Sequence, residues 1–362
     1  MAKIKRVFEQ IEERIERDAL QLTPGEYLPS EMQYSRLLDV SRLTVRKAVD
    51  QLVRTGLVRR IPGKGLMVAE HRDVHESERL LLSMPYVTCD AEFFQTMMGS
   101  IDKANELRCD YKILAFTDVR ERLEMLRQED LGTYRGAVVS CYESPEDQQM
   151  VAMFKEAGLP FIVAGDNDAL PSVCSDDYNG GYIMGDYLVQ HGHRDILFIT
   201  SDRPVPSVRR RTEGFRQALI DNELPVREEY FLSVEDPGEP LLPQNAGQRR
   251  LPPEAERFLS GQLPFTALCG YSTLPILSML TQMHQRGMRV PEDVSVVAYG
   301  GMPYFAAQNV PLTAVNTQNH ELGARAVELL YNYITGASDA LESDMLPVLF
   351  NRNHSVKTLR NP

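Results

Sequence analysis

Between Met32 and Ala69 eight cations, Arg36, Arg42, Arg46, Lys47, Arg54, Arg59, Arg60 and Lys64, stand against two acids, Asp39 and Asp50. A positive field of that density suits phosphate, because bound cations displace the counterions condensed on a nucleic-acid backbone. The chain as a whole argues the other way, since its 362 residues hold 39 Lys and Arg against 51 Asp and Glu, a net charge of −12. The average conceals a division. Residues 1–72 carry 14 basic and 10 acidic residues, which leaves a net −16 for residues 73–362. Such asymmetry suggests a small basic reader joined to an acidic body that a duplex would repel.

The basic segment needs elements that hold its cations outward. Ile4, Val7, Phe8, Ile11 and Ile15 recur at helical spacing, so a helix is expected over 4–19, ended by the turn Thr23-Pro24-Gly25. Ser30 is placed to cap a second helix with Tyr34, Leu37 and Leu38 inward; Asp39-Val40 turns the chain, and Ser41 caps a third. In that third helix Val45, Ala48, Val49, Leu52 and Val53 form the buried face, which leaves Arg42, Thr44, Arg46, Lys47 and Asp50 outward. After Gly56 two short apolar runs, 57–61 and 66–69, flank the turn Pro62-Gly63-Lys64-Gly65 and predict a hairpin. Helix, helix-turn-helix and hairpin make a winged helix. One helix can lie in the major groove while the wing reaches along the backbone or into the minor groove.

Pro24-Gly25-Glu26-Tyr27-Leu28-Pro29-Ser30-Glu31, Val40-Ser41-Arg42-Leu43-Thr44-Val45-Arg46-Lys47-Ala48 and Gly63-Lys64-Gly65 resemble three motifs of the gluconate-repressor (GntR) family of DNA-binding domains. The resemblance implies DNA contacts for Arg42, Thr44, Arg46 and Gly63. With the local charge and the two caps, the expected DNA-binding set is Ser30, Arg36, Ser41, Arg42, Thr44, Arg46, Lys47, Gly63 and Lys64. Met32 departs from the family, which usually has a DNA-contacting arginine there.

Residues 71–78 read as a linker, giving domains 1–70 and 79–362. Beyond it the period changes: short apolar runs such as 80–84, 111–115, 136–140, 160–164 and 195–199 alternate with helical patterns. That alternation predicts parallel sheets built from βαβ crossovers, hence an α/β body, and the count suits two doubly wound units. The Pro- and Gly-rich stretch 236–253 reads as a long irregular loop.

The segments Ser175-Asp176-Asp177-Tyr178-Asn179-Gly180-Gly181, Gly192-His193-Arg194-Asp195-Ile196, Arg211-Thr212-Glu213-Gly214-Phe215, Val290-Pro291-Glu292-Asp293-Val294 and Leu322-Gly323-Ala324-Arg325-Ala326 resemble the effector domain of lactose/galactose-repressor proteins, and the likeness spans 79–358. It implies two Rossmann-like subdomains of the periplasmic-binding-protein type, roughly 79–175 with 308–336 and 176–307 with 337–358. It also implies three crossings between them, a small ligand in the cleft, and a homodimer. Arg211 matches that family's effector-contacting arginine, whose fork suits vicinal hydroxyls or a carboxylate; the alternative is an ion pair within the run Arg209-Arg210-Arg211. Phe93 and Phe94 match an aromatic pair near the cleft, with core packing as the alternative. Two acidic positions of the family are replaced, by Gly270-Tyr271-Ser272 and Tyr299-Gly300-Gly301. Tyr271 and Tyr299 are therefore the candidates for stacking on a sugar and hydrogen-bonding it; other outcomes are a different ligand, or a cleft that no longer binds and a body serving as dimerisation and protein-interaction scaffold.

Other chemistry finds less support. His191-Gly192-His193 lacks further ligands at metal spacing, so His193 is expected to be structural. Gly180-Gly181 lacks the remaining glycines of a dinucleotide fingerprint. The five cysteines, Cys89, Cys109, Cys141, Cys174 and Cys269, are scattered and read as small buried hydrophobes. No nucleophile with a base at motif spacing is present, so neither catalysis nor a cofactor is expected. The charged start of the chain and the lack of long apolar runs point to the cytosol, with operator DNA and a carbohydrate-like effector as partners.

Overall fold

The computed structural model describes residues 11–359 except 12–13, 16, 20–21, 24, 55–57, 62–63, 69–78, 86–90, 141–143, 203–204, 235–250 and 301–309. The expected linker, Gly63 at the wing tip, Gly301, Cys89, Cys141 and most of the loop 236–253 lie outside the described residues. The chain divides into two compact units, Met1–Glu78 and Arg79–Pro362.

In the first unit, α1 (Glu31–Leu37) and α2 (Arg42–Arg54) accompany an antiparallel sheet of β1 (Tyr27–Leu28), β2 (Val58–Ile61) and β3 (Gly65–Val68), ordered β1-β3-β2. The pairing of Val58 with Val68 and Ile61 with Gly65 makes β2 and β3 the hairpin. Ser30 closes a capping box on α1: its Oγ accepts the Gln33 N–H at 3.3 Å, and its own N–H donates to Gln33 Oε1 at 2.7 Å. Between the helices Asp39 takes a φ of 48°, a conformation that aspartate tolerates better than most side chains. The Ser35 hydroxyl donates to the Val40 carbonyl at 2.6 Å and holds that turn. Ile11, Ile15, Tyr34, Val45, Ala48, Val49, Leu52, Val58, Leu66 and Val68 form one core. Leu37 does not join it: the helix ends there and its side chain is 66% exposed, while Leu38 is half-buried.

Among the described residues the second unit contains two six-stranded sheets. The first, ordered β14-β8-β7-β6-β4-β5, is wholly parallel and is made by β4 (Leu80–Pro85), β5 (Tyr111–Phe116), β6 (Gly136–Val139), β7 (Phe161–Ala164), β8 (Ser172–Ser175) and β14 (Asp344–Leu346). Its helices are α3 (Ala91–Glu106), α4 (Val119–Arg127), α5 (Pro145–Glu156) and, returning from later in the chain, α10 (Asn319–Ile334), which packs on α3 and across β6, β7 and β8. The second sheet, ordered β10-β9-β11-β12-β13-β15, comprises β9 (Ile196–Ser201), β10 (Phe231–Val234), β11 (Ala267–Gly270), β12 (Ser295–Tyr299), β13 (Thr313–Asn316) and β15 (Leu349–Asn351). Among the described residues only its β13–β15 pair is antiparallel. With it go α6 (Asp177–Gln190), α7 (Pro206–Asp221), α8 (Ala255–Leu259) and α9 (Thr273–Gln285).

The chain therefore passes between lobes after β8, after β13 and between β14 and β15. Two expected boundaries need correction. Residues 313–316 belong to the second lobe, not the first, because β13 pairs with β12; residues 344–346 belong to the first, because β14 pairs with β8. Glycine makes a close helix contact possible: a Cβ on Gly214 of α7 would lie 1.9 Å from the Tyr178 carbonyl of α6.

Candidate DNA interface and effector cleft

On α2 the side chains of Arg42, Arg46 and Lys47 point outward. Ser41 caps it, its Oγ accepting the Thr44 N–H at 3.2 Å and lying 2.7 Å from the Thr44 hydroxyl. Arg36, Arg42, Arg46, Lys47 and Lys64 are all exposed, and Thr44 is half-buried. Arg42 keeps 70% of its side chain in solvent and comes no nearer than 3.9 Å to Glu31.

Arg60 explains why the nearby acids do not cancel this field. From β2 it reaches Asp50 at 2.5 Å and Glu31 at 2.9 Å, and it donates to the Arg46 carbonyl at 3.3 Å. Its proton is held more firmly by both carboxylates, against a cost of partial burial. Counting Arg60 with the surface cations missed this. Its partners lie 29 and 10 residues away in sequence, so only the fold brings them together.

In the second unit Asp177 opens α6, Arg211 lies on α7, Tyr271 follows β11 and Tyr299 ends β12. Arg211 Nε donates to Asp177 Oδ1 at 2.8 Å, and Nη1 donates to the Tyr271 carbonyl at 2.8 Å. The Tyr299 hydroxyl donates to the same Asp177 oxygen at 2.6 Å, while the guanidinium covers the Tyr299 ring at 4.0 Å from its centre. Gly180 makes room for this, since a Cβ there would be 2.5 Å from the Tyr299 oxygen.

This geometry corrects the expectation for the two tyrosines. Tyr299 is fully enclosed, its ring face taken by Arg211 and its hydroxyl by Asp177; Tyr271 packs in the apolar core of the lobe with Ile276 and Val296. Neither ring face is open to a sugar in this arrangement. Arg211 retains 12% exposure, Phe93 is half-buried and Phe94 is 54% exposed near the start of α3. Asp177 joins this cluster from outside the expected set, and its signal in the sequence is an acid at the start of a helix.

The neighbouring arginines tie the lobes together. Arg209 pairs with Asp168 at 2.7 Å, and Arg210 pairs with both Asp166 and Asp168; the acids follow β7 in the first lobe, the arginines sit on α7 in the second. Asp166 Oδ2 is buried without a hydrogen-bond partner. Burial lifts the Asp166 carboxyl to about 6 despite the attraction of Arg210, and burial with the nearby Asp166 and Asp177 charges lifts the Cys174 thiol to about 11.

His193 is a structural residue. Its Nε2 donates to the Lys357 carbonyl at 3.1 Å, Nδ1 faces the Thr266 hydroxyl at 3.0 Å, and burial lowers its pKa to about 4. Among the described residues no helix is long and apolar enough to cross a membrane.

Comparison with known proteins gives two family matches: bacterial regulatory proteins of the gntR family over residues 3–68, and a periplasmic binding protein-like domain over 186–353. The arabinose metabolism transcriptional repressor of Geobacillus stearothermophilus is 25% identical over 347 residues, covering 92% of either chain. The HTH-type transcriptional repressor PurR of Pasteurella multocida is 28% identical over 229 residues, 61% of this chain and 63% of that protein. Among solved structures, a LacI family transcriptional regulator from Enterococcus faecium with bound ribose has a TM-score of 0.64 at 22% identity, over 78% of this chain and 100% of the other. The transcriptional regulator CelR in complex with cellobiose has a TM-score of 0.66 at 20% identity, over 89% and 94%.

Proposed function

We propose that this chain, a gntR-family helix-turn-helix domain joined to a periplasmic-binding-protein-like domain, is a cytoplasmic transcription repressor whose hold on operator DNA is set by a small carbohydrate-like molecule in the cleft. The observation that carries the reading is the face of α2, where Arg42, Arg46 and Lys47 stand exposed while Arg60 engages Asp50 and Glu31. A homodimer places two such helices on the half-sites of a pseudo-palindrome. The effector acts by binding two arrangements of the lobes unequally, which changes the spacing or order of the readers. No catalytic step is involved.

Arg211 is the group best suited to a sugar or sugar acid, and Phe93 and Phe94 supply apolar surface. A ligand that takes hydrogen bonds from Arg211 competes with Asp177 and the Tyr271 carbonyl. That competition also favours a second reading, in which Asp177 fills the role of a ligand and the body serves as a dimerisation and protein-interaction scaffold.

Selection from a random duplex pool tests the DNA reading: an enriched inverted repeat supports it, and no enrichment overturns it. A thermal-shift screen of mono- and disaccharides, sugar phosphates and sugar acids separates the two forms. A ligand at 100 times its Kd stabilises the chain by about 2.7 kcal/mol, whereas a flat response to every compound favours the scaffold.

A further inference from the structure

Leu43 is the second residue of α2 and is 65% exposed. Its position follows from the helix period: two residues before Val45, it lies about 200° around the helix from that core side chain, while Val45, Ala48, Val49 and Leu52 fill the buried face. An isobutyl group thus stands on the helix beside the exposed Arg42, Arg46 and Lys47, the last two one turn further on.

A surface that must cover these cations and the leucine together has to be anionic with an apolar spot inside it. The major groove of a duplex fits, with phosphates along its walls and, on its floor, one apolar group among the base edges, the C5-methyl of thymine. In helix-turn-helix docking the first residues of the recognition helix are the ones that meet base edges. Resting on the DNA-binding reading above, we propose that Leu43 is a specificity-determining residue that reads a thymine methyl in each operator half-site. Leu37, exposed to the same degree, ends the preceding helix, which crosses the backbone in this docking mode and meets no base.

The test uses the full-length chain and the duplex enriched from a random pool. Each thymine of the half-site is replaced in turn by deoxyuridine, which removes only the methyl. At one position the wild-type chain loses about fourfold in affinity, the worth of one buried methyl group. Leu43→Ala binds the thymine and deoxyuridine duplexes equally, with its melting temperature unchanged, and Leu37→Ala keeps the wild-type difference. The proposal is overturned if Leu43→Ala retains the thymine preference, or if no thymine position responds in the wild-type chain. A chain that enriches no duplex at all contradicts the DNA-binding reading instead, so the two failures are distinct.

Discussion

Arg211 and Tyr299 converge on one oxygen: both donate to Asp177 Oδ1, at 2.8 Å and 2.6 Å, with the guanidinium lying over the tyrosine ring. An acid that is itself nearly fully buried thus holds both Arg211 and the Tyr299 hydroxyl.

Removing that acid leaves a mostly buried cation without its counter-charge. Asp177→Ala is expected to cost about 3 kcal/mol of unfolding free energy, whereas Tyr299→Phe, which removes one hydroxyl, costs about 1 kcal/mol. Urea unfolding of both variants checks the order; an Asp177→Ala loss smaller than that of Tyr299→Phe contradicts the arrangement.

Asp166 makes stability depend on pH in an unusual direction. Its carboxyl is lifted to about 6 in the folded chain, from an ordinary 3.8. Between those values the folded state holds more protons than the unfolded one, so the contribution is present below about pH 4 and is lost as pH rises through 6. Asp166→Asn removes this dependence: from pH 4.5 to 7 the wild-type chain should lose about 2 kcal/mol relative to the variant. Parallel denaturant curves at the two pH values measure it, and a constant difference rules it out.

Arg60 is expected to matter to DNA binding without touching DNA. Arg60→Gln leaves Asp50 and Glu31 uncompensated near the reading face, and operator affinity should fall about tenfold, an electrostatic penalty of about 1.4 kcal/mol. Asp50→Asn in the same chain should recover part of the loss. A gel-shift comparison showing no change for Arg60→Gln would discard the idea.

Gly214→Ala forces α6 and α7 apart, because the obstructing atom is the Tyr178 backbone carbonyl and cannot swing away. A loss of about 1–3 kcal/mol is expected, read as a lower melting temperature; a chain as stable as wild type would show that the helices do not pack this closely.

The reader was legible because its signals are local. Ser30 and Ser41 cap within three residues of themselves, and the spacing of Val45, Ala48, Val49 and Leu52 assigns the faces of α2 without tertiary information. The α/β alternation was legible for the same reason. Arg60, Tyr299 and the Arg210–Asp166 contact were not, because their roles are decided by partners between 10 and 122 residues away. β13 looked like part of the first lobe because the helix that follows it returns there, and only its pairing with β12 places it in the second. β14 and β15 are three-residue strands, too short to show a period, and in β8 and β10 serines break the apolar run.

The most direct measurement is binding of the selected operator duplex by the full chain carrying Arg42→Ala together with Arg46→Ala, titrated over a salt series. Both side chains are exposed, so the double variant should fold with an unchanged melting temperature. The expected result is a loss of affinity of about a hundredfold or more and a shallower dependence of log K on log salt, by about two, as two phosphate or base contacts disappear. A folded double variant that binds with wild-type affinity and the wild-type salt slope would contradict DNA recognition by α2.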